Sequence, residues 1–448
     1  MKTKIWITGL AMATAMSATA PVMAEGDVYI PMPVYRVGPY ATGGTGYFGG
    51  IIDYYTLMNM TEGGVGGMNI IWNECETNYN DQKGVECYHR QKEFQGKQAL
   101  FFDPLSVGIS TSLVAQGRKD KIAIIAVNHG RTEGQRGDVF PYYFMPGINT
   151  YDEHSIITAY IGELEGGMEN LAGKKIVLLF HGSTYGREAV EFTHMLCEKH
   201  NCSSEAIEVP HPGNEQTSQW LKIRRSKPDY VVLRGWGVMN PVAMQTGVRM
   251  GFPISNLIGN IWSNDDGDVK PAGSSANGYQ AITTHPTGRV AKVIDEIVAK
   301  LYDQGKGDLE DKSRIGSNYW NLGVMAGVIH LEAVRVAQAR FGADVNSAQV
   351  RWGFENLNLD TARLTELGAN GLVPEIKTNC MDHVGGHQAK FMRWVYAETK
   401  WEVASDWIDG DVELSQAIID AKAENAIENE GITPRDCNDP AQRDDFDV

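Results

Sequence analysis

Few stretches of this 448-residue chain bring chemically active side chains close together, and each can be weighed against the chemistry it would have to perform. His181-Gly182-Ser183 sets an imidazole beside a hydroxyl. A serine nucleophile needs a base in hydrogen-bond reach and a strained turn to present it. No Gly-x-Ser-x-Gly elbow or Gly-rich phosphate loop occurs, and His129, His181, His194 and His211 are scattered. A secreted two-domain hydrolase is the enzyme reading this leaves; the pattern favours a protein that binds without turnover. His383 and His387 stand four apart, a spacing that on a helix would aim both at one metal. Gly385-Gly386 lies between them, so a loop is expected instead. Asp406, Asp409, Asp411 and Glu413 lack the full calcium-loop pattern. Like Asn264-Asp265-Asp266-Gly267-Asp268, they read as a solvated turn. Neither a metal nor a cofactor is expected.

The elements around these residues alternate. Lys175 to Phe180 is an apolar run behind a charged step, which predicts a buried parallel strand. A polar loop, His181 to Gly186, follows it, and helical spacing resumes from Arg187 to Cys197. Ligands in such sheets sit beyond the carboxyl ends of the strands. The same strand–loop–helix grammar runs from Asp27 to Val127. It restarts after a helix at Tyr151 to Leu164 and continues to a short strand at Leu257-Ile258. Two successive sets predict an α/β fold with two parallel sheets. Longer helices are expected at Arg289–Tyr302, Tyr319–Phe341 and from Leu414 onward, and the last residues should be loose.

Lys2 and Lys4 precede an apolar run ending in Val22-Met23-Ala24, the pattern of a secretory signal peptide cleaved after Ala24. No later stretch reads as a membrane span, so an exported, soluble chain is expected. Lys+Arg 40 against Asp+Glu 56 gives −16, and losing the two signal lysines leaves −18. Such a surface repels a polyanion, so nucleic acid is not an expected partner. Six cysteines in an exported chain point to disulfides, and proximity favours Cys75–Cys87 and Cys197–Cys202, leaving Cys380 with Cys437.

Taken in order, several short motifs carry a family resemblance. They are Gly38-Pro39, Glu62-Gly63-Gly64-Val65-Gly66-Gly67, Leu105 to Ser112, Lys175 to Phe180 with Tyr185-Gly186, Lys227-Pro228-Asp229-Tyr230-Val231, and Ala243 to Gly251. With these the chain resembles the periplasmic substrate-binding proteins of ABC importers, in the branched-chain amino-acid-binding (type I) group. The resemblance implies two Rossmann-like lobes joined by three crossovers, near 148–152, 278–284 and 354–374. The first lobe would hold residues 25–149 and 282–355; the second, 150–281 and 356–448 with an extended helical tail. A small-molecule ligand would be enclosed in the cleft, and a membrane permease would receive it from a monomer.

Carried over position by position, the resemblance nominates Tyr40, Ser106, Asn128 and His129 in the first lobe. In the second it nominates Tyr185, Trp236 and Trp262. Amino-acid binders place an acid near 260–262, where this chain has Asn260-Ile261-Trp262. Glu74, Asp103 or Asp265 would have to replace it to hold an ammonium. The aromatic positions instead suggest a carboxylate or amide with an aromatic or hydrophobic body.

Overall fold

A computed structural model describes residues 26–443; the expected signal peptide and its cleavage site lie outside them. The first lobe is built on five short parallel strands. These are β1 (Asp27–Tyr29), β2 (Asn69–Ile71), β3 (Phe101–Phe102), β4 (Ala123–Ile125) and β5 (Tyr143–Phe144). β1 pairs with β2, and β4 lies between β3 and β5. A single bond from Leu100 N to the Tyr29 carbonyl, 3.1 Å, joins the two pieces. The second lobe has β6 (Lys175–His181), β7 (Ser203–Val209), β8 (Tyr230–Arg234), β9 (Leu257–Gly259) and β10 (Gln280–Thr283), all parallel. β11 (Gln388–Val395) and β12 (Lys400–Val403) extend it antiparallel in the order β7-β6-β8-β9-β10-β11-β12. β6 is buried over six of its seven residues because it has a neighbour on each edge and helices on both faces.

Two long helices dominate the first lobe. α1 (Ala41–Glu62) opens on glycine-rich turns that carry no apolar period. It packs against α4 (Asn318–Phe341), with α2 (Thr150–Leu164) and α3 (Asp266–Ala272) lying between them in sequence. The α1–α4 contact is a close backbone approach. A Cβ on Gly50 would stand 2.2 Å from the Trp320 carbonyl oxygen, and one on Gly323 2.0 Å from that of Tyr47. By length and hydropathy α4 passes as a membrane span, against the expectation that no stretch would. It is instead a core helix, buried over 78% of its apolar window.

The third passage between lobes is later than expected. α5 (Ser347–Glu355) is followed by a hairpin that stays with the first lobe, and Met145 N and Gly147 N donate to the His383 and Val384 carbonyls. The chain then crosses at Gly385–His387 into β11. Nothing in the apolar period marks that hairpin.

The final residues, expected to be loose, are described only as far as Arg443, and 444–448 lie outside the described span. α6 (Val412–Glu430) sets Ile418 and Ile419 against Tyr151 and Phe192, and Ala423 and Ala426 against the core that contains Tyr29 and Phe102. Beyond it Arg435 is 5% exposed and pairs with Glu355. The three disulfides are Cys75–Cys87, Cys197–Cys202 and Cys380–Cys437, the last fastening the tail to the first lobe.

Candidate ligand-binding site

Strand exits of the two sheets face each other, as strand-end loops must in paired α/β lobes. The exit of β3 supplies Leu105, Ser106 and Val107, and that of β4 supplies His129; the exits of β6, β8 and β9 supply Tyr185, Trp236 and Trp262. With Tyr79 these side chains line a narrow interlobe space. The free room between them is only about 10 Å³, about what one water would fill, so the lobes are closed together. Aromatic edges set its shape. Trp236 and Trp262 meet at 5.5 Å and 88°, and His129 of the first lobe meets Trp262 of the second at 5.3 Å and 87°.

Five of the seven nominated residues wall this space: Ser106, His129, Tyr185, Trp236 and Trp262. Tyr40 stands one layer out, bridging the lobes with its hydroxyl 2.8 Å from His181 Nε2 and 3.1 Å from His211 Nδ1. Asn128 serves the chain crossings instead. Its Oδ1 accepts from Ile148 N at 3.1 Å and its Nδ2 donates to Thr284 Oγ1 at 3.2 Å. Sequence reasoning missed Tyr79, Leu105 and Val107. Tyr79 comes from a loop with left-handed φ of 53° and 55° at Asn78 and Tyr79, leading from Cys75 into the helix that carries Cys87. No apolar period announces such a loop.

The polar atoms divide into committed and free. Ser106 Oγ accepts from Ile109 N at 3.3 Å, capping its own short helix. The Tyr185 hydroxyl donates to the Gly235 carbonyl at 3.2 Å. Arg234 lies over the Tyr185 ring at 4.4 Å, and its guanidinium is engaged by Glu153, Thr150 Oγ1 and the Tyr185 carbonyl. Two atoms are left over. His129 Nδ1 is 2.8 Å from the Val127 carbonyl, so Nδ1 carries the hydrogen and Nε2 presents a bare lone pair with no partner. Burial pulls the His129 pKa down, keeping the ring neutral. Trp236 Nε1–H is likewise buried without an acceptor.

None of the residues walling the space carries a formal charge. The three acids that could have held an ammonium are occupied elsewhere. Asp103 accepts from the Tyr47 hydroxyl at 2.6 Å, Glu74 pairs with Arg36 at 2.8 Å, and Asp265 accepts from Tyr319 N at 2.8 Å. Enclosing an unpaired ion among such groups costs several kcal/mol.

Asn264 to Asp268 is not the solvated turn expected. Asp265 caps α3 in a reciprocal box with Asp268, and both are buried, at 0% and 2% exposure. Through the Tyr319 amide and hydroxyl they tie the second lobe to the start of α4. Burial, then the neighbouring Asp265 charge, pushes Asp268 up to about 7.

The mouth of the cleft shares Tyr79, Ser106 and Tyr185 with the closed space and adds Asp81, His181, Ser183, Arg187 and His211. Here the sequence's Ser–His pair does form, with Ser183 Oγ 2.8 Å from His181 Nδ1. Burial, then His211 and Arg187, push His181 down to about 3, and its other nitrogen faces the Tyr40 phenol rather than a carboxylate. So placed, His181 is a poor general base at neutral pH. His383 and His387 lie on a loop as expected. Among the described residues no group of three or more His, Cys, Asp or Glu is placed to hold a metal.

A family model described as "Periplasmic binding protein" matches residues 27–400. A solved structure described as an ABC transporter permease from the Pseudomonas fluorescens group is 40% identical, with a TM-score of 0.85, covering 92% of this chain and 99% of that one. A branched-chain amino acid ABC transporter from Thermus thermophilus with bound valine is similar at 18% identity and TM-score 0.70, covering 88% and 99%. An R. palustris solute-binding protein in complex with benzoate is similar at 15% identity and TM-score 0.65, covering 86% and 98%. No curated protein matches the sequence.

Proposed function

The chain belongs to the periplasmic binding protein family, and from that premise we propose that it captures one small organic solute in the aromatic cleft. The solute is a carboxylate or amide with a hydrophobic or aromatic body, and an ABC permease receives it from the closed protein, in the periplasm. The observation that carries this reading is the closed space walled by Trp236, Trp262 and Tyr185 from one lobe and by Tyr79, Ser106 and His129 from the other. A solute there touches both lobes at once, so its binding energy favours the closed form over an open one. Among the similar structures one holds valine and another benzoate. The aromatic wall and the lack of a lining acid favour the second kind of body over an amino acid. The weak base at His181 supports binding without turnover.

The test is to denature purified protein and identify what it releases by mass spectrometry, then refold it empty and restore the released compound. One organic solute near one equivalent is expected. Scattering should show a larger radius of gyration for the empty protein and compaction on restoring the solute. Identical scattering curves in both states, with nothing released, would refute the reading. At a solute concentration about 100 times Kd, the folded state should gain about 2.7 kcal/mol.

A further inference from the structure

The two leftover polar atoms have opposite needs. Trp236 Nε1–H lacks an acceptor and His129 Nε2 lacks a donor, and both side chains wall the same closed space. Buried polar groups in folded proteins are nearly always paired, and these two belong to side chains that line one small space from opposite lobes, so an occupant there can meet both needs. The neutral His129 ring cannot reverse its role, because the Val127 carbonyl fixes the hydrogen on Nδ1.

The charge around the space is settled as well. Arg234, the cation beneath Tyr185, is already bound by Glu153. The start of the short helix Val107–Ser112 already faces an acid. A Cβ on Gly108 would stand 2.2 Å from Asp81 Oδ1. An anion entering there meets a carboxylate rather than a free cation, and an ammonium finds Glu74, Asp103 and Asp265 committed elsewhere.

We propose that the enclosed solute is uncharged and carries a hydrogen-bond acceptor for Trp236 Nε1–H and a donor for His129 Nε2. A primary or secondary amide on a compact apolar body has both groups, with the body against Trp262 and Tyr185. The inference rests on the solute-capture reading and narrows it, choosing the amide over the carboxylate. It also separates this chain from a cleft that recognises a zwitterion, whose two charges would each need a countercharge in the wall.

The experiment uses the emptied full-length protein and matched sets that share one body. Benzamide, benzoate and benzylamine form one set; isobutyramide, isobutyrate and valine form the other. Calorimetric titration at pH 7.5 should find the amide of the better-fitting body at least tenfold tighter than either charged member. A charged member that binds as tightly as its amide, or tighter, would overturn the inference and leave solute capture standing. Failure of all six to bind, with no solute released on denaturation, would take down capture itself. Failure of all six beside a released solute is decided by that solute's charge at pH 7.5: neutral upholds the inference, charged overturns it.

A variant tests the donor assignment. His129→Phe keeps a ring of similar size and removes Nε2. The native protein should prefer the preferred amide to its N,N-dimethyl form, which has no N–H, and His129→Phe should lose that preference. A preference unchanged in the variant would show that His129 does not take the hydrogen. Circular dichroism and an unchanged melting temperature without solute confirm that the variant is folded.

Discussion

Two buried histidines in this molecule, His129 and His383, differ in how they are paired. Both lie near first-lobe strand ends and both are essentially without solvent exposure. His383 has an acceptor on each nitrogen, the Tyr143 carbonyl at 2.7 Å and Glu355 at 3.2 Å. Glu355 in turn gathers Arg351 at 3.0 Å and Arg435 from the tail. Burial alone would raise the Glu355 pKa, yet His383 and the two guanidiniums hold it down to about 2. His129 has one nitrogen satisfied and one bare. A histidine bonded through both nitrogens holds parts of a fold in place, whereas one with a bare nitrogen can take a hydrogen from outside.

The contrast fails if the Glu355 network proves dispensable, and the largest effect is expected there. Glu355→Ala leaves buried Arg351 and Arg435 with a lost countercharge and should cost about 3–5 kcal/mol of stability, read by denaturant unfolding at pH 7. It should not alter solute preference. Because Glu355 is depressed in the folded state, its contribution is present above about pH 4.5 and lost as pH falls through about 2, so the variant's deficit should shrink in acid.

Removing the tail fastening comes next. Cys380→Ala with Cys437→Ala should cost about 2–4 kcal/mol by the same measurement. Equal stability of variant and parent would show that α6 and the Arg435 contacts hold the tail unaided.

On the open side, Trp236→Ala should weaken solute binding by about 1–3 kcal/mol. Calorimetry with the released solute gives the number. Undiminished affinity would remove Trp236 from the wall.

The interlobe clasp gives the smallest effect and a pH signature. Burial, then the Asp265 charge, raises Asp268 from 3.8 to about 7, while the Tyr319 hydroxyl pulls against that rise. A raised carboxyl binds its proton more tightly in the folded form. That form is therefore favoured at low pH and loses the advantage as pH rises from about 4 through 7. Asp268→Asn should flatten the pH dependence of stability, followed by denaturant unfolding, over that window. A slope unchanged in the variant would assign the titration to another group.

The alternation of strands and helices was legible because apolar runs and helical periods are local properties of the chain. So were the short-range disulfides, and with them the third pair by elimination. The motif order named Ser106, His129, Tyr185, Trp236 and Trp262, which the structure brings to one interlobe space, because strand exits are fixed by topology once the strands are known. Tyr79 escaped because its loop has no period. Asn128 sits in the same loop as His129 but turns toward the crossings. Asp265 and Asp268 looked solvated because a run of acids gives no hint that a helix start from the other lobe will cover it. The sequence by itself determined two α/β halves, an aromatic cleft lacking the acid expected at 260–262, and the family to which they belong. Only the tertiary structure decided which polar atoms find partners and which are left bare. Pairing depends on distances of about 3 Å between residues far apart in the chain, and no local pattern encodes those.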